Sequence, residues 1–182
     1  MQESYCYKSD LLKFAESLKK RSCKQMWRSD SLVKVEKMIF TGFYFVRKLI
    51  ESVKVTDECK KTSYLVGVLA LSNDRPLSNW ERWDIVDLIR EQEEQEMKYE
   101  KKDINQICDK VIHAWWNMFC QSEEGGLDGM MLTTDKLNKK REVWFIPTQT
   151  MIDSFLRFGD DWPTKIEKER DENGKLIYWK CE

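Results

Sequence analysis

The chain has 182 residues, in which 31 Lys and Arg against 32 Asp and Glu leave a formal net charge of −1. This balance argues against a general nucleic-acid or membrane-surface binder, because such proteins usually carry a strong basic excess. Apolar residues make up 41% of the chain, which is enough for one substantial core. We therefore expect one domain over residues 1–182. The sequence shows no apolar signal segment and no apolar run of spanning length, so we expect a cytoplasmic protein with no membrane partner.

The sequence lacks the motifs that are typical of several kinds of metal site and enzyme. The six cysteines are far apart with no CxxC pair, and His113 is the single histidine. A zinc site of ordinary spacing is therefore excluded, and free thiols are expected. The chain also lacks the GxGxxG, GxxxxGK[ST], GxSxG and HExxH motifs of nucleotide binding, serine hydrolysis and zinc proteolysis. We expect no metal and no cofactor.

Helical spacing of apolar residues dominates the first two thirds of the chain. It predicts a helix over 9–24, and a second helix from about residue 31 to 53. The stretch 38–46 within the second helix is apolar nearly all round, which is typical of the central helix of a bundle. The apolar run 64–71 fits a buried strand or a buried helix, and both remain open. The highly charged segment 91–102 is expected to be a solvated helical extension or a loop.

The pattern changes after residue 121. A helix is predicted over 103–120, begun by Asp103 and Gln106, and two strands follow at 130–133 and 143–146 around a polar loop. The remaining predictions are a helix over 148–159, capped by Thr148 and stopped by Gly159, and a hairpin over 164–180 around Asn173-Gly174. The expected fold is α+β, with a helical bundle in 1–120 followed by a small antiparallel β-sheet of hairpins in 121–182.

The predicted helix over 103–120 carries the candidate catalytic residues. Asp109 lies four residues before His113, so the two side chains share a helix face. A carboxylate that orients an imidazole makes a pair capable of acid–base work. The commoner arrangement of this kind is a structural ion pair, and both interpretations stay open.

This segment resembles the terminal helix of HEPN-domain proteins, helical bundles that include many ribonucleases of toxin–antitoxin and antiviral systems. The family motif is an arginine followed, after four to six residues, by a histidine. Here Cys108 stands in the arginine position, Asp109 follows it, and His113 is the histidine. The resemblance spans about residues 9–120 and implies an RNA-cleaving or RNA-binding protein. Because the motif arginine is missing, the resemblance favours a catalytically degenerate HEPN-like protein.

The whole chain is also similar to a group of small bacterial proteins that imply no particular activity. The similarity is carried by 45–51, 107–113 and 132–159.

Two sets of binding candidates stand outside that motif. Lys20 and Arg21 end a basic helix, where they suit RNA phosphates, and Trp27 is available for stacking on a base. A solvated helix end explains the same two cations, since they complement the helix dipole. Trp115 and Trp116 are adjacent and cannot both face one core from a helix, so Trp116 is a candidate for a pocket or an interface.

Taken together, these features favour a non-enzymatic interaction or binding protein over an enzyme. The expected partners are another protein or a second copy of the chain, in a setting such as a bacterial defence or toxin–antitoxin-like system. The alternative is a HEPN-like RNA-binding protein or ribonuclease that uses His113 with Asp109.

Overall fold

The computed structural model describes residues 2–23, 29–71, 84–90, 96–134, 142–174 and 176–182. Within these ranges the chain forms six helices and seven strands. The helices are α1 (Gln2–Ser22), α2 (Ser29–Glu51), α3 (Asp57–Lys60), α4 (Asp84–Arg90), α5 (Ile104–Ile112) and α6 (Thr148–Asp160). The strands are β1 (Ser63–Ala70), β2 (Lys98–Asp103), β3 (Ala114–Gln121), β4 (Leu127–Thr134), β5 (Glu142–Pro147), β6 (Ile166–Arg170) and β7 (Leu176–Cys181).

Five of the strands make one antiparallel sheet in the order β2-β1-β5-β4-β3. Strands β6 and β7 form a separate antiparallel hairpin. Gly174 has φ +75° in the turn of this hairpin, a conformation that glycine adopts without a steric penalty. The predicted α+β class, the antiparallel strands β4 and β5 and the terminal hairpin are confirmed.

The two faces of the five-stranded sheet are buried differently. One face, here called the inner face, contributes residues such as Val66, Leu132 and Ile146 to the main core with α1, α2, α5 and α6. The other, the outer face, carries a smaller cluster in which Val143 and Trp116 pack against α4. Alternate residues of one strand thus serve two separate cores, as the pleat of a strand requires.

Helix α2 runs through the main core, as the apolar stretch 38–46 predicts. Ile39, Phe43 and Val46 are fully buried. Tyr44 lies on the exposed side of the helix. The predicted burial of this helix on most sides is confirmed.

All six cysteines are unpaired, in agreement with the expected free thiols.

Helix α1 begins earlier than predicted. It starts at Gln2, so Ser9 and Asp10 lie inside the helix rather than at its N-cap. Ser4 and Lys8 are both buried. Tertiary burial of this first part stabilises helical turns that the local sequence does not signal.

The predicted helix over 103–120 is wrong in its second half. Asp103 and Gln106 do form a capping box, and α5 starts where the sequence indicates. The helix ends at Ile112, and Ala114–Gln121 is the strand β3, paired antiparallel with β4. The aromatic residues of this segment suit a pleated strand, and pairing with β4 outweighs their helix-like spacing.

Other predictions in the middle of the chain also change. The run 64–71 is resolved as the strand β1, and the charged segment 91–102 ends in the edge strand β2 instead of a helix or a wholly irregular loop. Strands therefore begin at Ser63, well before residue 121. The polar loop over 135–140 lies outside the described residues.

Helix α6 follows β5 directly and differs from its prediction at both ends. Thr148 does not cap it, since its hydroxyl donates to the Leu127 carbonyl at 2.9 Å. Gly159 does not stop it, and the helix continues to Asp160. The space at Gly159 is filled by Leu12 of α1, so this glycine serves close helix packing.

Candidate functional site

The candidate catalytic residues lie at the C-terminal end of α5, where the contact between them is made by the backbone. His113 is the exposed C-cap, and its backbone N–H donates to the Asp109 carbonyl at 3.1 Å. The Asp109 carboxylate instead forms an ion pair with Arg47 of α2. Arg47 also donates from Nε to Glu51 Oε1 at 2.7 Å. A pairing between the Asp109 carboxylate and the imidazole does not occur among the described contacts.

The contact with Arg47 was not predicted, because 62 positions separate that arginine from Asp109 in the sequence. The fold thus brings an arginine to the histidine-bearing helix, although not at the motif position held by Cys108. Two carboxylates compensate the guanidinium, and all three side chains are at least one-third exposed. Exposed pairs of this kind contribute at most about 1 kcal/mol to stability. The arrangement is an exposed network of ion pairs that connects α2 to α5.

The basic candidates end helix α1. Lys20 is exposed and Arg21 is half-buried in the last helical turn. Cations at this position suit the negative end of the helix dipole. Trp27, the proposed stacking partner, lies outside the described residues. An RNA contact at this end therefore stays a prediction.

Trp116 lies in a core rather than at an opening. It is buried on the outer face of the sheet with Ile85, Leu88 and Val143. The expectation of a pocket residue came from placing Trp115 and Trp116 on a helix. In strand β3 the register with β4 shifts between Ala114 and Trp116, and Trp115, at this irregularity, packs partly buried against the same cluster as Trp116. A bulged strand can therefore place both neighbouring tryptophans at one core.

A site that sequence reasoning missed lies where α6 ends. A cavity of about 450 Å³ is lined there by Asp153, Leu156, Arg157, Asp160, Asp161 and Trp162, and we call it the α6-end pocket. Leu156 and Trp162 are 43% and 49% exposed although both are apolar. Tyr5 of α1 is 63% exposed, and its ring centroid lies 6.4 Å from that of Trp162. Exposed apolar groups grouped at a cavity are typical of binding sites.

A partly buried polar cluster fixes the floor of this pocket. Asp161 accepts hydrogen bonds from the Thr56 backbone N–H at 2.6 Å and from the Thr56 hydroxyl at 2.7 Å. The Lys8 ammonium donates to the Asp161 carbonyl and lies 4.1 Å from the centroid of the Trp162 ring. Two segments that are far from residues 161–162 in sequence therefore hold Asp161 and Trp162 in place.

The charged groups around the pocket are mostly acidic. Asp153, Asp160 and Asp161 line it. The Arg157 guanidinium donates to Glu58 at 2.8 Å, and Lys8 is almost completely buried. Burial lowers the pKa of Lys8 from 10.5, and the neighbouring Asp161 carboxylate partly opposes that change. The rim thus favours a cationic partner.

The thiol that contacts the pocket-lining Arg157, that of Cys59, offers no nucleophile. Burial raises the pKa of Cys59 to about 12, and its Sγ lies 3.9 Å from the Arg157 carbonyl oxygen, to which it donates. A thiol of this kind stays protonated at neutral pH and is unreactive. His113, on α5, is not among the residues that line the pocket.

One sequence signal did point to this region. Lys8 lies three residues before Leu11 and seven before Ala15, so it occupies the apolar stripe of α1. A lysine on such a stripe indicates a buried ammonium that needs an acceptor. The sequence does not reveal that the acceptor is Asp161.

Among the residues that the structure describes, no group of three or more His, Cys, Asp or Glu side chains is arranged to hold a metal ion. No helix in the described part of the chain is both long and apolar enough to cross a membrane.

No protein-family model, curated protein or solved structure matches the chain.

Proposed function

We propose that this protein is a non-enzymatic interaction protein that binds a segment of a partner protein at the α6-end pocket. The observation that carries the proposal is the pair of exposed apolar side chains, Leu156 and Trp162, at a cavity of about 450 Å³. The partner segment would present an apolar anchor next to a basic side chain.

The apolar part of the site has the composition of an interface hot spot. Trp, Tyr and Arg are the residues that most often dominate binding energy at protein interfaces. Here Trp162 and Arg157 line the pocket, and Tyr5 lies beside Trp162. Tyr5 extends the apolar surface of Trp162 beyond the pocket itself, so an aliphatic or aromatic anchor has contact area on both rings.

The charges indicate where a basic side chain would lie. The Lys8 ammonium already occupies one face of the indole of Trp162, so a second cation on that ring would be repelled. Asp153 and Asp160 are exposed at the rim. We therefore infer an apolar group against Trp162 and a cation beside these two aspartates. Rim charges of this kind act mainly on association rate and on partner choice.

Rigidity supports the same interpretation. The two hydrogen bonds from Thr56 to Asp161 and the Lys8 contact hold the floor of the pocket in the free protein. A preformed site loses less conformational entropy on binding than a mobile one. This favours recognition over a catalytic cycle that needs closure.

The test uses a fluorescein-labelled peptide of alternating Leu and Arg and a matched peptide of Leu and Glu. Fluorescence anisotropy should show saturable binding of the Leu–Arg peptide alone. Trp162→Ala should weaken that binding at least about tenfold, as hot-spot truncations do. Asp160→Asn should weaken it less and reduce its salt dependence. Asp128→Asn, on the exposed side of β4, is the control and should change nothing. Equal binding of both peptides, or full binding by Trp162→Ala, would contradict the proposal.

The HEPN-like ribonuclease remains a second candidate, favoured by the approach of Arg47 to the helix that ends at His113. Mixed RNA is incubated with the wild-type protein and with His113→Ala. Cleavage by the wild type that is lost in His113→Ala would contradict a non-enzymatic role. If both proteins leave the RNA intact, the ribonuclease hypothesis is excluded.

A further inference from the structure

The two edges of the five-stranded sheet differ in a way that points to an interface. Strand β2, at one edge, has five charged residues among its six. Strand β3, at the other edge, has the sequence AWWNMFCQ and no charged residue. Edge strands expose backbone donors and acceptors that can pair with another chain, and charged side chains are a usual protection against it. Only β2 is protected in this way.

Strand β3 also presents apolar side chains at the surface. Trp116, at 9% exposure, is the one residue of the eight that counts as buried, and Met118 is 36% exposed. The register with β4 shifts between Ala114 and Trp116 and again between Cys120 and Gln121. These irregularities leave a regular stretch, Trp116–Cys120, with Met118 at its centre.

We propose that β3 pairs antiparallel with β3 of a second copy, about a two-fold axis at Met118. The pairing joins two five-stranded sheets into one. In this register Met118 meets Met118 of the second copy, Asn117 meets Phe119, and Trp116 meets Cys120. No like charges oppose each other across the interface.

A second copy fits this edge better than a charged peptide, because the strand is uncharged and complementary to itself. An isologous contact of this kind closes at two chains. The charged edge at β2 disfavours further growth of the sheet. The inference concerns a different surface from the α6-end pocket and does not depend on the proposed function.

Sedimentation velocity of the full chain provides the test. The wild type should sediment as a dimer of twice 21.9 kDa. Met118→Lys places two like charges opposite each other at the axis and should raise the dimer dissociation constant at least about tenfold. Met118→Glu should do the same. A mixture of the two variants should restore the dimer, because residue 118 then meets an opposite charge. Circular dichroism checks that each variant is folded.

The control is Tyr99→Lys, at a 55% exposed position on β2, which should remain dimeric. A wild type that is monomeric at high concentration, or one that forms larger open assemblies, overturns the proposal. So does a Met118→Lys variant that dimerises as well as the wild type. Failure of the mixed variants to dimerise would rule out the register centred on Met118.

Discussion

At the scale of single residues, Lys8 shows how a buried charge is accommodated. Desolvation of an ammonium is costly unless its protons find acceptors. Lys8 is 1% exposed, donates to the Asp161 carbonyl just beyond α6, and lies over the Trp162 ring. Cations are stabilised where the carbonyls of a helix end, so the contact links α1 to the end of α6.

Replacement of Lys8 by Met tests this link. The methionine keeps most of the aliphatic packing but leaves the Asp161 carbonyl without its donor. We expect the free energy of unfolding to fall by about 1–3 kcal/mol in urea denaturation. Lys13→Met, at an exposed position on the same helix, is the control and should leave it nearly unchanged. A Lys8→Met protein as stable as the wild type would mean that desolvation cancels the contacts of the ammonium.

Cys108 gives a pH dependence with a defined sign. Burial raises its pKa in the folded protein to about 12, above the ordinary 9.0. Above pH 9 the unfolded chain therefore releases a proton that the folded chain keeps. The stability that results is fully present below pH 9 and is lost as the pH rises towards 12.

The measurement compares the free energy of unfolding at about pH 8 and about pH 10, where this single thiol should account for a loss of about 1.4 kcal/mol. Cys108→Ala should lower stability at both values, because it creates a cavity, but its additional loss on going to the higher pH should be smaller than that of the wild type by this amount. Parallel curves for the two proteins would show that the thiol ionises equally in both states.

At the scale of elements, the contact between α2 and α6 depends on a glycine. A Cβ atom added at Gly42 would lie 2.7 and 2.9 Å from two ring carbons of Phe155. That ring also packs against Phe43 and Phe14, with centroids 5.1 and 6.5 Å away. Phe155 therefore has little room to move aside.

Gly42→Ala sets two effects against each other. Alanine favours the helix by about 1 kcal/mol over glycine, whereas overpacking of a filled core costs about 1–3 kcal/mol. We expect a net loss of stability in thermal or urea unfolding. In a Phe155→Leu background, where the ring is absent, the same substitution should be neutral or stabilising. A more stable Gly42→Ala single variant would show that the helices separate easily.

The elements that were predictable carry their own local pattern. The apolar stretch of α2, the apolar runs of β4 and β5 and the Asn173-Gly174 turn were all recognised. Strand β3 was not, because the aromatic spacing of 114–121 fits a helix until β4 supplies hydrogen-bonding partners. The charged strand β2 was missed for the same reason, since only its pairing with β1 makes it a strand.

At the scale of the whole molecule, the candidate sites depend on contacts between distant residues. The α6-end pocket combines α1, the segment before α3 and the end of α6. No local motif indicates such an arrangement. The pairing expected between the side chains of Asp109 and His113 is not formed for a related reason, because the Asp109 carboxylate pairs with Arg47 of α2 instead. The residue types suggested acid–base chemistry, but contacts between distant parts of the chain determine which side chains pair.

The central claim is that Trp162 and its surroundings bind a basic, apolar segment of a partner. Fluorine NMR of protein labelled with fluorotryptophan tests it most directly, with the Trp162 resonance assigned from a Trp162→Phe variant. On addition of the Leu–Arg peptide this resonance should shift saturably, while Trp116, buried under α4, stays unchanged. The Leu–Glu peptide should leave both unchanged. A Trp162 resonance that does not move while the Leu–Arg peptide binds elsewhere would contradict the claim.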